Sequence, residues 1–338
     1  MFTVSVIVPC YNEQATIHLL LDALRRQTFP LQELEVIIAD GMSTDQTRSR
    51  IAEYQATNSA LCVRVVDNPL RVIPSALNRA IEAAQGEIIL RLDGHSTPAP
   101  DYVERCVQAL QEGRGDNVGG VWEIQPSGKG WAAQGIALAA AHPLGVGDAR
   151  YRVGGQAQEV ETVPFGCYRR ARALEIGKYD ETLLTNEDYE FNTRLRQAGG
   201  KIWMDPLIRS TYFARPTLAA LARQYGRYGY WKAQMLRRYP HTLRWRQALP
   251  PVFVASLLVL GIAAIWLPLA RLLLATELLL YGLIMLSVGL QAALRRHRLT
   301  LLISVPLAIA CMHIAWGGSL LWGLIHPPAS KTGIRNIG

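Results

Sequence analysis

The sequence predicts an α/β domain over residues 1–208, a mostly parallel sheet with helices on both faces, followed by interfacial helices and three C-terminal transmembrane helices. Three observations carry this. Through the first part, short β-branched runs alternate with amphipathic stretches of helical period, the pattern of repeated βαβ units. Residues 209–246 then hold nine basic side chains and no acid. From 250 to 326 only Arg271, Glu277, Arg295, Arg296 and Arg298 are charged. The expected division is 1–208 for the globular domain, 209–248 for basic amphipathic interface helices, 249–326 for the membrane helices and 327–338 for a tail.

Taken in order, Thr3–Val8 is a short apolar strand, and Ala15–Arg26 is amphipathic with Ile17, Leu20, Leu21 and Leu24 on one face. Leu34–Ala39 is a second buried strand, and Ser43 with Gln46 has the spacing of a capping box opening the next helix. Cys62–Val66 is a third strand, Pro74–Ala84 a helix stopped at Gly86, and Glu87–Leu92 a fourth strand. Glu187-Asp188 opens an amphipathic helix running to Gln197, with Phe191 and Leu195 facing the core.

Pro250–Pro268 lacks Asp, Glu, Lys and Arg, Leu272–Leu294 carries only Glu277, and Leu299–Ile325 carries none of the four. At about 1.5 Å per residue, segments of roughly 20 residues span a hydrocarbon core about 30 Å thick. Arg295, Arg296 and Arg298 lie between the second and third segments, with Arg271 alone between the first and second. The positive-inside rule then puts residues 1–248 and the 295–298 loop in the cytoplasm and the tail outside, a multi-pass inner (cytoplasmic) membrane protein. Between the two parts, bases such as Arg223, Lys232 and Arg238 interleave with Tyr225, Tyr230, Trp231 and Tyr239. Beside membrane helices, that mixture implies helices in the headgroup layer.

The charge balance excludes nucleic acid as the partner. The net charge is +8, yet residues 1–208 carry 20 basic and 26 acidic side chains. The excess is one short stretch before the membrane, not a binding face. Five cysteines, an odd number without paired metal spacing, suit a reducing compartment and exclude a disulfide-stapled domain. Val4–Val8 is too short, and too soon broken by Pro9, for a signal peptide.

In sheets of this kind ligands bind outside the carboxyl ends of the strands. Pro9, Cys10, Tyr11, Asn12 and Glu13 follow the first strand, Asp40, Gly41 and Ser43 the second, and Asp93, Gly94 and His95 the fourth. Each cluster alone is ordinary cap or turn chemistry. Together they place polar groups from distant segments along one sheet edge. A carboxylate and an imidazole two residues apart suit a hard or borderline cation, whose charge a nucleotide diphosphate complements.

These residues resemble a known family. Val-Ser-Val-Ile-Val-Pro-Cys-Tyr-Asn-Glu (4–13), Ile-Ile-Ala-Asp-Gly-Met-Ser-Thr-Asp-Gln-Thr (37–47) and Leu-Arg-Leu-Asp-Gly-His-Ser (90–96) are similar to the inverting family 2 glycosyltransferases, with the Rossmann-like GT-A fold. Pro164–Arg170, Gly177–Glu181 and Asn186-Glu187-Asp188 continue the pattern, so the resemblance covers roughly residues 3–205. Asn68-Pro69, the Asp-Gly-His variant and the membrane helices are most similar to the succinoglycan-type exopolysaccharide glucosyltransferases.

The resemblance implies roles. Pro9, Tyr11, Glu13 and Asp40 hold the nucleoside, Tyr11 beside the base and Asp40 on its polar edge, and Arg71 approaches the base or phosphates. Asp93 contacts the ribose and the surroundings of the metal, and His95 binds Mn²⁺ or Mg²⁺ at the diphosphate. The family ordinarily has aspartate at position 95, and imidazole favours Mn²⁺. Asp188 is the base, with Glu187 its neighbour or acceptor contact. Gln224, Arg227 and Tyr228 are similar to the Gln-x-x-Arg-Trp motif that lies by acceptor and diphosphate in processive polysaccharide synthases.

Inverting transfer needs a base for the acceptor hydroxyl and charge stabilisation on the departing diphosphate. The expected reaction moves one sugar from a nucleoside-diphosphate sugar, UDP-glucose or similar, to a lipid-linked acceptor, a polyprenyl-diphosphate saccharide. Three membrane helices are too few for a private polysaccharide channel, which excludes processive export. Polyprenyl phosphate as acceptor is the alternative within enzymes, since an anionic acceptor needs no strong base. A non-catalytic sugar-nucleotide-binding subunit is the alternative outside them, and intact Asp93, His95 and Asp188 weigh against it.

Overall fold

Alternation along the first strand explains the layering of the sheet-bearing part. In the computed structural model, which describes residues 2–328, β1 (Val4–Cys10) sends Val4, Val6, Val8 and Cys10 to one face of the sheet and Ile7 to the other. Side chains of a strand alternate faces, so a strand apolar at every position but one must be covered on both sides. Helices α1 (Ile17–Arg25), α2 (Thr47–Thr57) and α4 (Tyr102–Gln111) contribute to the first core. Helices α3 (Ile73–Ala83), α8 (Arg170–Glu175) and α9 (Glu187–Gln197) contribute to the second.

β1 pairs in parallel with β2 (Leu34–Asp40), β2 with β3 (Cys62–Asp67), and β1 on its other side with β4 (Ile88–Arg91). The register sets Cys10 opposite Asp40 and Asp40 opposite Asp67, so all three strands end on one line. β4 stops opposite Ile7, which frees Pro9 of a ladder on that side, the condition under which proline fits a central strand.

Beyond β4 the sheet is antiparallel. With β5 (Thr97–Pro98), β6 (Asn117–Pro126), β7 (Gln158–Glu159), β8 (Cys167–Arg169) and β9 (Ile202–Ala214), the order is β3-β2-β1-β4-β8-β6-β9-β5, with β7 paired to β9. The expected mostly parallel sheet is therefore parallel in one half and mixed as a whole. Strands of two or three residues carry no readable alternation.

The chain divides into two units, one up to Gln125 with Asp148–Phe213, the other Pro126–Gly147 with the chain from Ala214 onward. β9 runs past position 208 to Ala214, and Arg209 pairs with Glu123 of β6 at 3.4 Å. An excursion, 126–147, also leaves the sheet unit. It carries α5 (Trp131–Ala140) and α6 (Pro143–Val146), and α7 (Arg150–Val153) follows where the chain returns.

The second unit is built around its last helix. Among the described residues, three helices are long and apolar enough to cross a membrane, α11 (Trp245–Ala263), α12 (Pro268–Arg296) and α13 (Leu301–Ile325), and α10 (Leu218–Arg238) precedes them. The turn between the first two falls at 264–267, where Arg271, in the first turn of α12, donates to the carbonyls of Ala264 and Ile265 at 2.7 and 3.0 Å. Small residues allow close approach to α13: a Cβ on Gly229 of α10 would lie 2.2 Å from the Trp316 carbonyl oxygen, and one on Gly289 of α12 2.4 Å from that of Leu302. Gly135 of α5 meets Ser304 in the same way. α10 packs lengthwise on α13, Gln234 and Arg237 donating to the Gly323 carbonyl at 3.0 and 3.2 Å, and α11 already begins at Trp245.

Candidate active site

The carboxyl edge of the parallel strands is a network of interlocked loops. Asp40, at the end of β2, is fully buried. Its Oδ1 accepts from the Ser43 hydroxyl at 2.5 Å, and its Oδ2 from the Ser43 amide at 3.0 Å and Arg48 Nε at 2.5 Å. Arg48 also donates to Asp67, across the register, at 2.5 Å. Ser43 accepts from the Asn12 amide at 2.9 Å, which ties the loop after β1 to the loop after β2. Ser43 thus caps no helix. α2 begins at Thr47, whose amide and hydroxyl both donate to Asp45, at 3.0 and 2.6 Å. The expected capping box is absent because the Ser43 oxygen already accepts from the Asn12 amide and α2 opens four residues later.

Each of the three loops holds a non-glycine residue in the left-handed region, Asn12, Met42 and Arg71, with φ of 54°, 59° and 56°. Such residues persist only where the surroundings over-determine them, and they concentrate at ligand sites. Tyr11 and Arg71 are brought together, the guanidinium carbon 6.0 Å from the ring centroid, and Tyr11 remains 46 % exposed. A Cβ on Gly41 would lie 3.2 Å from the Tyr11 ring, so glycine there lets the ring lie against the loop. The oxygens of Asp40 are engaged by Ser43 and Arg48.

Glu13 lies beside His95, one of the two metal candidates. Its carboxylate faces His95 Nδ1 at 3.0 Å and accepts from Thr16 at 2.5 Å. A carboxylate on one imidazole nitrogen is the arrangement that orients a ligating histidine. Among the described residues no three His, Cys, Asp or Glu side chains form a metal cage. Asp93 and His95 are both partly exposed, and a carboxylate with an imidazole is chemistry that suits a cation completed by diphosphate and water.

Asp93, Glu187 and Asp188 converge on a residue that the sequence reading took only as part of a strand. Arg91, the last of β4, is 3 % exposed. Its Nη1 donates to Asp188, and its Nη2 to Glu187 at 2.9 Å and Asp93 at 3.2 Å. A charge inside a buried parallel strand was the available signal. Glu187 and Asp188 lie in the first turn of α9, where the helix dipole favours carboxylates. Burial raises Asp188 well above the usual carboxylate range, against the lowering effect of Arg91, and Glu187 and Asp93 push the same way as burial. Gln224, Arg227 and Tyr228 lie on α10 in the second unit, where Gln224 donates to the Tyr228 hydroxyl at 3.0 Å.

The family model described as Glycosyl transferase family 2 matches residues 5–172. The succinoglycan biosynthesis protein ExoA of Rhizobium meliloti is 34 % identical over 75 % of this chain and 78 % of its own. The chain belongs to glycosyl transferase family 2. It is also 27 % identical, over 82 % of its length and 90 % of the relative's, to a Methanococcus voltae enzyme named dolichyl N-acetyl-alpha-D-glucosaminyl phosphate 3-beta-D-2,3-diacetamido-2,3-dideoxy-beta-D-glucuronosyltransferase. Among solved structures, the mannosyltransferase PcManGT of Pyrobaculum calidifontis, in complex with GDP-Man and Mn²⁺, superposes with a TM-score of 0.59 at 23 % identity, covering 91 % of this chain and 86 % of that one. Staphylococcus aureus TarS 1-349 with UDP-GlcNAc gives 0.52 at 18 %, covering 95 % and 91 %. Both carry the GT-A fold, and the protein is a glycosyltransferase.

Proposed function

We propose that this glycosyltransferase moves one sugar, with inversion, from a nucleoside-diphosphate sugar (UDP-glucose or similar) to a polyprenyl-diphosphate-linked saccharide during exopolysaccharide or cell-surface glycan synthesis. The observation that carries the reading is the convergence of Asp188, at the head of α9, with Asp93, at the strand edge, on one guanidinium. Asp188 takes the proton of the acceptor hydroxyl as its oxygen bonds to the anomeric carbon. The bond from that carbon to the diphosphate oxygen breaks, and its electron pair leaves with the nucleoside diphosphate. Tyr11 and Arg71 hold the nucleoside, and Asp40 holds the loop that carries Tyr11 through Ser43 and the Asn12 amide. Asp93 and His95 would hold Mn²⁺ or Mg²⁺, whose charge stabilises the departing diphosphate. Glu187 borders the acceptor, and Gln224, Arg227 and Tyr228 are assigned to the acceptor or diphosphate.

The lipid acceptor is supported by the three apolar helices and by the names of the two relatives, a succinoglycan biosynthesis protein and a transferase acting on a dolichyl-phosphate-linked sugar. The catalytic unit is assigned to the cytoplasmic side of the inner membrane on the strength of Arg295, Arg296 and Arg298 between the last two spans. The test is Asp188→Asn: transfer to lipid acceptors falls by about 10²–10⁴-fold, the contribution of a positioned base, while UDP or GDP still binds with Mn²⁺. Retained turnover would favour polyprenyl phosphate, an acceptor that needs no base.

A further inference from the structure

One guanidinium serves three carboxylates that the proposed chemistry divides between two tasks. Asp93 belongs to the donor and its cation, and Glu187 and Asp188 to the acceptor. We propose that Arg91 is a positioning residue that couples these halves, holding the base in register with the donor site. The inference rests on the reading of Asp188 as the base.

The place of Arg91 is fixed before its side chain is considered. β4 is paired on both sides, with Ile7 of β1 opposite Arg91, and the Arg91 amide donates to the Gly166 carbonyl at 2.9 Å. From there a planar fork reaches two elements at once, Nη1 on Asp188 and Nη2 shared by Glu187 and Asp93. Lysine, a point charge on a flexible stem, could not hold both with fixed angles. Tyr168 and Tyr179, whose hydroxyls lie 3.1 Å apart, add no positive charge beside it.

A purely stabilising role fits this arrangement poorly. One carboxylate is enough to neutralise a buried arginine, and each further one adds repulsion in a place where charge is costly. Nε is also buried without a partner, so the fork is oriented for its two Nη groups at the expense of its third donor site. The three contacts are unequal as well. The bond to Asp93 is longer than that to Glu187, and Asp93 is the most exposed of the trio, at 27 % against 21 % for Asp188 and 9 % for Glu187. Asp93 is thus placed to turn toward a cation while Arg91 keeps its hold on Glu187 and Asp188.

The experiment uses the full chain in detergent, with Arg91→Lys, Arg91→Met, Asp188→Asn and the double variant Arg91→Lys/Asp188→Asn. Binding is read by calorimetry with UDP and GDP, each with Mn²⁺. Turnover is read as nucleoside diphosphate released from the UDP- or GDP-sugar that is fastest with a membrane lipid extract. Arg91→Lys, which keeps the charge and the fold, is expected to bind within about threefold of the parent. Its kcat falls about 10–100-fold, the cost of a misplaced catalytic group, with donor KM nearly unchanged, and Arg91→Met is slower still. The double variant is no slower than Asp188→Asn, because both changes remove one function. Wild-type kcat in Arg91→Lys, loss of binding in step with kcat, or multiplying losses in the double variant would each overturn the coupling. Wild-type kcat in Asp188→Asn would instead overturn the assignment of the base.

Discussion

Asp188, the proposed base, is held where ionisation is unfavourable, and this has two consequences of opposite sign. Because burial raises it, it stays protonated above the usual carboxylate value of about 3.9. A protonated carboxyl accepts no proton, so kcat should climb with pH through a value above that range, as a pH profile at saturating donor measures. For folding the sign reverses. A carboxyl raised in the fold contributes stability that is full below the unfolded value and is lost as pH rises through the folded one. Asp188→Asn should therefore raise the thermal midpoint at pH 7–8 while slowing transfer, and a lowered midpoint would mean that the ion pair with Arg91 outweighs burial. At Asp40 the expectation is the ordinary one: Asp40→Ala strands Ser43 and Arg48, costs about 1–3 kcal/mol, and weakens UDP binding measured by calorimetry. Asp188 and Asp40 were both legible in the sequence because an acid after an apolar run marks a strand end or a helix head. Arg91 was not, since its meaning comes from partners about a hundred residues away.

The elements that were legible are those buried on a regular period. β1 to β4 and α9 stand within about two residues of their sequence-read limits, because each hides a face whose spacing the side chains repeat. α10 shows what periodicity leaves open. A basic amphipathic helix has the same pattern whether its apolar face meets headgroups or another helix, and here it meets α13. Only its glycines hinted at the difference, since Gly226 and Gly229 lie against Ser319 and Trp316. Gly229→Val should overpack that seam and cost about 1–3 kcal/mol, lowering the thermal midpoint in detergent. Gly282→Ala, where a Cβ meets nothing within 4 Å, should leave it unchanged or raise it slightly.

For the whole chain, the partition into units matters more than the order of domains. A fragment ending after Ala214 keeps the sheet but strips α5 of α13, exposing an apolar helix. It should associate with membranes or aggregate even at high salt, and should become soluble when 127–147 is replaced by a short polar linker, as sedimentation would measure. If the unaltered fragment is monomeric and soluble, the pairing of α5 with α13 is dispensable. The same excursion also bears on how the protein is made. α5 ends at Ala140 and α13 begins at Leu301, so about 160 residues must leave the ribosome before α5 meets its partner. At about 5–20 residues per second, that leaves it uncovered for roughly 10–30 s. During this interval the nascent chain needs either the bilayer or a chaperone beside it, and synthesis at the membrane supplies the first.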